Sequence, residues 1–351
     1  MEKMAPVTAR RIDPLQNPNW DALLTSHPDF SFFHGAAWAK VLVETYGFTP
    51  NYFFSGNATA PEALLPLMET DSWLRGRRGT ALPFTDECAP LCRDRATFEK
   101  MFADAVALGK ARRWKAIECR GGRKFFPAEV PASLSFYGHV LELAGDGQAL
   151  FEKMDGSVRR AVRKAEKDGV TVEFSQSPEA VRTFYRLQCL TRRRHGLPPQ
   201  PFEFFSNIQR HILSKNQGII AIADHRGKKI AADVFFFLGG RAIYKYGASD
   251  VEQQHLRGSN LVMWEGIKWL ARNGVRSLHL GKTSRLNEGL RRFKLNLGAR
   301  EETIDYVKFD LREDRFVTET DGITGWHNRV FRILPGPLSR TAGRLLYKHW
   351  A

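Results

Sequence analysis

Hydrophobic and polar positions in the second half of the chain follow a strand pattern that changes into a helix pattern. Residues 218–238 contain two apolar stretches, IIAIAD and IAADVFFFL, and the intervening HRGKK predicts a hairpin turn. Residues 242–248 alternate around tyrosines and predict a third strand. The pattern therefore predicts three antiparallel strands in succession.

A helix and a further strand are predicted to follow. Met263, Ile267 and Leu270 are spaced so that they lie on one face of a helix, and Gly274 is placed to end it. Residues 275–280 (VRSLHL) contain apolar Val275, Leu278 and Leu280, and a buried strand is predicted there. The complete predicted order is strand, strand, strand, loop, helix and strand.

The loop before this helix, residues 255–260 (HLRGSN), is a candidate anion site. It places Gly258, Ser259 and Asn260 at the predicted helix N-terminus, where unpaired backbone N–H groups and the helix dipole attract phosphate. Serine or asparagine at this position is equally typical of an N-cap, which is the structural alternative.

The first half of the chain predicts a mixed α/β domain. Residues 32–46 have helical spacing and residues 52–55 begin a strand. A hairpin is predicted within residues 64–84, a helix at 96–112 and a buried strand from Lys115.

A strongly basic helix is predicted at residues 157–168. Its apolar stripe consists of Val158, Ala161, Val162 and Ala165. The other faces carry Arg159, Arg160, Arg163, Lys164 and Lys167. Like charges four residues apart destabilise a helix by about 0.2–0.5 kcal/mol per pair, so this density indicates a phosphate-bearing partner. A solvated face partly neutralised by Glu166 and Asp168 is the alternative.

Charge is distributed unevenly along the 351 residues, a length typical of two domains. Residues 1–150 contain 17 Lys or Arg and 17 Asp or Glu, residues 151–300 contain 28 and 13, and residues 301–351 contain 8 and 8. The net charge of +15 therefore arises entirely in the middle segment. This concentration predicts a polyanionic partner such as tRNA, a nucleotide diphosphate, CoA or an anionic lipid surface.

Three segments together resemble the FemABX-related group of acyltransferases: residues 240–298, residues 156–174 (GSVRRAVRKAEKDGVTVEF) and residues 32–53. The resemblance implies an α/β (α+β) fold of two tandem GNAT-like domains, each with a mixed, mainly antiparallel sheet flanked by helices. The expected domains are residues 1–150, residues 151–325 with the basic patch and catalytic segment, and a C-terminal basic amphipathic helix at 326–351.

The resemblance also implies a set of site residues. LRRFKLNLGA resembles the group's Phe-Lys-x-x-x-Gly signature, with Phe293, Lys294 and Gly298 matching. Lys294 is the expected catalytic residue, because an ammonium can stabilise the oxyanion that forms during acyl transfer. The expected substrate-binding residues are Tyr244, Tyr246, Arg194, Phe293, Arg257, Gly258, Ser259 and Asn260. The expected polyanion-binding residues are Arg159, Arg160, Arg163 and Lys164.

The expected function is direct transfer of an aminoacyl or acyl group onto an amine of a nucleotide- or lipid-linked cell-envelope precursor. The donor is aminoacyl-tRNA or acyl-CoA, and no permanently bound cofactor or metal is expected. An acyl-CoA-dependent N-acyltransferase of exopolysaccharide biosynthesis is one alternative, although His255, Gly258 and Asn260 match the usual GNAT pyrophosphate loop at one of three positions. A non-catalytic basic RNA-binding module is the other.

Neither an export signal nor an apolar run long enough to span a bilayer is evident, so a cytoplasmic location is expected. A helix is predicted after Pro337, with Arg340, Arg344 and Lys348 opposite Leu338, Leu345 and Leu346. This helix is expected either to dock on the protein or to contact the inner membrane face peripherally.

Overall fold

The computed structural model describes residues 10–56, 61–320 and 331–350, which form a mixed α/β structure. Its strands are β1 (Arg10–Ile12), β2 (Thr49–Gly56), β3 (Pro61–Thr70), β4 (Arg78–Thr80), β5 (Leu91–Cys92), β6 (Ala116–Arg120), β7 (Leu134–Glu142), β8 (Thr171–Ser175), β9 (Gly218–His225), β10 (Lys228–Leu238), β11 (Arg241–Ser249), β12 (Ser277–His279), β13 (Thr283–Ser284), β14 (Arg300–Asp310) and β15 (Arg315–Val317).

The described α-helices are α1 (Trp20–Thr25), α2 (Ala36–Tyr46), α3 (Arg95–Ala111), α4 (Gly147–Glu152), α5 (Gly156–Lys167), α6 (Pro178–Arg194), α7 (Phe202–His211), α8 (Gly258–Arg272), α9 (Glu288–Leu295) and α10 (Gly336–Leu346). Short 3-10 helices are Pro14–Gln16, Phe32–His34, Arg123–Phe125, Leu213–Lys215, Val251–Leu256 and Tyr347–Trp350. Within the described ranges, no helix is both long and apolar enough to cross a bilayer.

The chain forms two compact units. The first contains Met1–Phe136, Ile304–Asp321 and Lys348–Ala351, and the second contains Tyr137–Thr303 and Gly322–Tyr347. These units divide the chain at other positions than the predicted boundaries at 150 and 325. The physical reason is strand pairing, because the end of β7 pairs with β12 in the second unit and β14 pairs with β6 in the first.

In the first unit, the strands are ordered β1-β2-β3-β4-β6-β14. All neighbours along this path are antiparallel except β4 and β6, which are parallel. Helix α3 is capped by Asp94, whose side chain accepts a hydrogen bond from the Thr97 amide at 2.8 Å. Its Phe98, Met101 and Ala105 are buried in the hydrophobic core of this unit, so the spacing of apolar residues that predicted the helix also determines its packing.

In the second unit, the strands are ordered β7-β12-β11-β10-β9-β8. The β9–β10 hairpin turns at Arg226 and Gly227, whose φ angles of 53° and 81° are those of the left-handed region. Strands β9, β10 and β11 are antiparallel, and α8 connects β11 to the parallel strand β12. The predicted order of strand, strand, strand, helix and strand is confirmed.

Helix α8 packs closely on β10 because two of its residues have no side chain. A Cβ atom on Gly258 would lie 2.8 Å from the Cδ1 atom of Ile230. A Cβ atom on Gly266 would lie 2.5 Å from the ring of Phe235. These glycines place the N-terminus of α8 and the loop before it close to the sheet.

Candidate functional site

A cationic cavity of about 510 Å³ lies where α5, α9 and the N-terminus of α8 meet in the second unit. Its lining residues are Ser157, Val158, Arg160, Ala161, Lys164, Arg257, Asn260, Gly289, Arg292, Phe293 and Asn296. The cavity thus brings together residues from the predicted basic helix, the predicted anion-binding loop and the predicted catalytic segment. Because four of these side chains are cations and no carboxylate lines the described wall, the cavity is suited to a phosphate-bearing ligand.

The loop before α8 does not form the cap that its sequence suggests. The N-cap residue is Arg257, which has a left-handed conformation with φ 57°, and no side chain caps the helix. The structural alternative, Ser259 or Asn260 as N-cap, is therefore wrong. Asn260 lines the cavity with Arg257, whereas Gly258 is buried against Ile230 and Ser259 is exposed outside the cavity lining.

Helix α5 divides its basic residues between two environments. Its stripe of Val158, Val162 and Ala165 is buried in the hydrophobic core, which aims the opposite face at solvent and at the cavity. Among the predicted polyanion-binding residues, Arg160 and Lys164 line the cavity. Lys164 also forms an ion pair with Asp168 at 2.5 Å.

The other two predicted polyanion-binding residues lie outside this cavity. The guanidinium of Arg163 stacks 5.6 Å from the ring centroid of Phe151. Arg159 is half-buried, and its Nε atom has no hydrogen-bond partner among the described residues. All four basic residues were expected to bind a polyanion, but the packing of α5 places only Arg160 and Lys164 in the cavity lining.

Helix α9 carries the Phe-Lys-x-x-x-Gly segment and presents two faces. Asn287 caps the helix by accepting a hydrogen bond from the Leu290 amide at 3.1 Å. Arg292, Phe293 and Asn296 face the cavity. Lys294 lies on the buried face, and its side chain is only 2% exposed.

The ammonium of Lys294 is held by backbone carbonyl groups. Its Nζ atom donates hydrogen bonds to the Gly281 oxygen at 2.7 Å and to the Lys282 oxygen at 3.2 Å. A lysine this deeply buried requires such partners, because an unpaired buried charge is costly. The lysine therefore joins α9 to the segment that follows β12.

The glycine of the signature has a structural explanation. Gly298 has φ 84°, and a Cβ atom there would lie 3.0 Å from the Lys153 oxygen. Close by, the Asp155 amide donates a hydrogen bond to the Asn296 oxygen at 2.9 Å. The end of α9 is thus packed against the start of α5, which supports the wall of the cavity.

A buried histidine near Lys294 was not predicted from the sequence. His139 is 0% exposed, and its Nε2 atom lies 3.3 Å from the Glu301 carboxylate. Burial and the positive charge of Lys294 lower the pKa of His139, against the opposing effect of Glu301. Glu301 is in turn bound by Arg291 through two hydrogen bonds of 2.7 and 2.9 Å.

Tyr244 and Tyr246, both expected to bind substrate, lie on opposite faces of the sheet. Phe235 pairs with Tyr244 and the preceding Val234 pairs with Tyr246, so Lys245 is an extra, bulged residue of β11. Because successive residues of β10 face opposite sides, their partners do so as well. The resemblance implied that both tyrosines bind substrate, but the bulge directs their side chains to opposite sides of the sheet.

An aspartate beside the bulge was also missed. Asp233 is 4% exposed and forms a hydrogen bond with the Tyr244 hydroxyl. A Cβ atom on Gly247 would lie 1.7 Å from the Tyr244 oxygen and 3.0 Å from Asp233 Oδ1, so the absence of a side chain at 247 makes room for the pair. Burial raises the pKa of Asp233 well above its usual range and raises that of Tyr244 too. The sequence feature that could have indicated this pair is a single acidic residue within the apolar run IAADVFFFL.

Arg194 was expected in a basic loop that contacts substrate. It is instead the last residue of α6, because the helix continues through residues 191–194 before the chain turns at His195 and Gly196. Arg194 is exposed, and its Nη2 atom lies 3.4 Å from the ring of His195. The cavity beside α9 does not include it.

Residues 152–295 match the family described as acetyltransferase (GNAT) domain. This range contains α5, α8 and α9, and therefore every residue that lines the cationic cavity up to Phe293. No curated protein matches the chain in sequence.

Several solved structures share the fold. FemX is 15% identical with a TM-score of 0.68, over 85% of this chain and 96% of FemX. A tandem GNAT protein from the clavulanic acid biosynthesis pathway is 10% identical with a TM-score of 0.53, over 87% and 98%. L-PGS from Bacillus licheniformis is 11% identical with a TM-score of 0.52, over 94% and 96%. The chain thus has the fold of these tandem GNAT proteins, and its residues 152–295 match the acetyltransferase (GNAT) domain family.

Proposed function

We propose that this protein transfers an aminoacyl or acyl group from a phosphate-bearing donor onto an amine of a cell-envelope precursor. The observation that carries the proposal is the cavity in which Arg160, Lys164, Arg257 and Arg292 converge beside α9. Guanidinium groups bind phosphate through paired hydrogen bonds, and a helix N-terminus adds favourable backbone dipoles. Aminoacyl-tRNA and acyl-CoA both carry the required phosphates.

The proposed reaction is direct acyl transfer. The acceptor amine attacks the carbonyl carbon of the donor ester or thioester, so a C–N bond forms and negative charge develops on the carbonyl oxygen. Collapse of this intermediate breaks the C–O or C–S bond, and the proton lost by the amine ends on the departing oxygen or sulfur. Positive charge placed near the oxyanion lowers the barrier. The resemblance to the FemABX group assigns this role to Lys294, although its ammonium lies outside the cavity lining and is bound to two backbone carbonyl oxygens.

The choice of donor class rests on the residues that line the cavity. Side-chain cations supply most of the polar lining, which favours a donor with an extended phosphate backbone, namely aminoacyl-tRNA. The acceptor class rests on the resemblance to the FemABX group. For the alternative of an acyl-CoA-dependent N-acyltransferase in exopolysaccharide biosynthesis, the supporting observation is the match of residues 152–295 to the acetyltransferase (GNAT) domain.

Parallel incubation with labelled aminoacyl-tRNA and labelled acyl-CoA tests the proposal. Transfer of label to an amine acceptor from either donor is expected, and the productive donor identifies the class. The double variant Arg160→Gln/Arg257→Gln should raise the KM for that donor at least tenfold, because it removes two of the phosphate ligands. Arg163→Gln is the matched control, since Arg163 is on the same helix but stacks on Phe151.

Two results would overturn the proposal. Transfer from neither donor, combined with salt-sensitive RNA binding, would establish the alternative of a non-catalytic RNA-binding module. A KM that responds equally to the double variant and to the Arg163 control would show that the cavity does not bind the donor.

A further inference from the structure

Helix α10 packs with its small residues inward and its leucines outward. Ser339 and Gly343 are buried, and a Cβ atom on Gly343 would lie 2.0 Å from the Pro199 oxygen. Leu338 and Leu345 are 56% and 65% exposed, and their spacing of seven residues places them on the same side of the helix. An ordinary surface helix buries its large apolar residues, so the outer face of α10 is suited to an apolar environment outside the protein.

Contacts with α6 hold α10 in this orientation. The guanidinium of Arg192 donates a hydrogen bond from Nη2 to the Tyr347 hydroxyl at 2.7 Å and lies 5.9 Å from the centroid of the same ring. Arg192 Nε also donates to the Pro198 oxygen at 3.2 Å. The leucines are thus exposed while the helix is docked.

A second cationic cavity, of about 400 Å³, lies between α6 and α10. Its lining residues are Arg182, Tyr185, Arg186, Cys189, Leu190, Arg193, Pro199, Gly336, Ser339 and Arg340. The α6 residues follow one face of that helix, so three arginines are directed at the cavity and Arg340 joins them from α10.

The charge of this cavity is only partly neutralised. Arg182 forms an ion pair with Glu179 at 3.0 Å, and both side chains are exposed. Within the part of the chain that the structure describes, Arg186 and Arg340 have no carboxylate partner. Exposed apolar side chains surround the same region, including Leu190 on α6 and Ile333 just before α10.

We infer that the α6–α10 surface docks on an anionic phospholipid bilayer, with the outer leucines of α10 in the interface and a lipid phosphate in the arginine cavity. Helices of this type lie in the interface plane, with apolar residues about 5–10 Å into the headgroup and acyl boundary. Basic residues beside such a helix are attracted to anionic headgroups. The combination of leucines and unneutralised arginines fits this surface better than it fits a neutral protein partner. The inference does not depend on the donor proposed for the first cavity.

Vesicle flotation of the full chain tests the inference. The protein should float with vesicles of phosphatidylcholine plus phosphatidylglycerol, and should remain unbound with phosphatidylcholine alone. Arg186→Gln/Arg340→Gln should weaken binding by about fivefold per arginine. Leu338→Ser/Leu345→Ser should weaken it at least tenfold without lowering the melting temperature, because both leucines are already exposed.

Matched controls are available away from this surface. Leu286, in the segment before α9, is 76% exposed, and Arg312 is exposed in the first unit. Leu286→Ser and Arg312→Gln should leave vesicle binding unchanged within about twofold, since they alter hydrophobicity and charge elsewhere.

Three outcomes would overturn the inference. The first is equal loss of vesicle binding in the controls and in the α6–α10 variants. The second is saturable binding of inorganic phosphate that requires Arg186 and Arg340, without vesicle binding, because this would show a site for a soluble anion. The third is a concentration-dependent dimer in sedimentation that Leu338→Ser/Leu345→Ser abolishes, because a second copy of the chain would then cover the leucines.

Discussion

Replacing Lys294 with methionine should both destabilise the second unit and slow turnover. Methionine keeps most of the side-chain volume but removes the ammonium that donates to the Gly281 and Lys282 oxygens. Hydrogen bonds from charged groups contribute about 1.5–3 kcal/mol each, and the relief of burying a charge offsets part of that loss. We expect the free energy of unfolding to fall by about 2–4 kcal/mol.

Thermal and urea unfolding measure this change. For a unit of this size, a change of 1 kcal/mol shifts the midpoint by roughly 2–4 °C, so a decrease of about 4–16 °C is expected. Lys167→Met is the control, because Lys167 is exposed on α5, and its midpoint should stay within about 1 °C of the wild type. An unchanged midpoint in Lys294→Met would refute the argument that the two carbonyl contacts hold α9 in place.

The catalytic role proposed for Lys294 predicts a separate effect. At a temperature where the variant is fully folded, turnover should still be lower by about 100-fold with little change in substrate affinity, because oxyanion stabilisation acts only in the transition state. A destabilised but fully active Lys294→Met protein would leave the residue with its structural role alone.

Three further predictions concern the remaining cationic and buried groups. Arg160→Gln should lower the slope of log binding constant against log salt for a polyanionic donor by about one, measured by filter binding, whereas Arg163→Gln should leave that slope unchanged. Gly247→Ala should lower the free energy of urea unfolding by about 1–3 kcal/mol, because the new Cβ would lie 1.7 Å from the Tyr244 hydroxyl. The loss should be smaller in a Tyr244→Phe background, which lacks that hydroxyl. Burial raises the pKa of Asp233, so the contribution of its protonated side chain to stability is complete below the unfolded pKa of about 3.9 and is lost as pH rises through the folded pKa. Asp233→Asn should therefore gain stability relative to the wild type between pH 4 and pH 8. A constant difference in urea midpoint across that range would contradict this expectation.

The sequence by itself determined the local elements of the second unit and their order. The Arg226–Gly227 turn and the alternating strands beside it depend on neighbouring residues only, as does the apolar stripe of α8. Such features follow from the periodicities of the helix and the strand, which are visible in one dimension. The basic face of α5 was identified in the same way, whereas the Phe-Lys segment of α9 was identified from its resemblance to the FemABX group.

Only the tertiary structure decided which of those residues meet. One bulged residue, Lys245, sends Tyr244 and Tyr246 to opposite faces, and no propensity in the sequence marks that position as a bulge. The carbonyl partners of Lys294 are 12 and 13 residues away, and Asp233 finds Tyr244 only because Gly247 leaves space beside it. Burial, close approach and hydrogen bonding between distant residues depend on how the elements pack, so the direction in which each side chain points is not contained in the pattern that predicts its helix or strand.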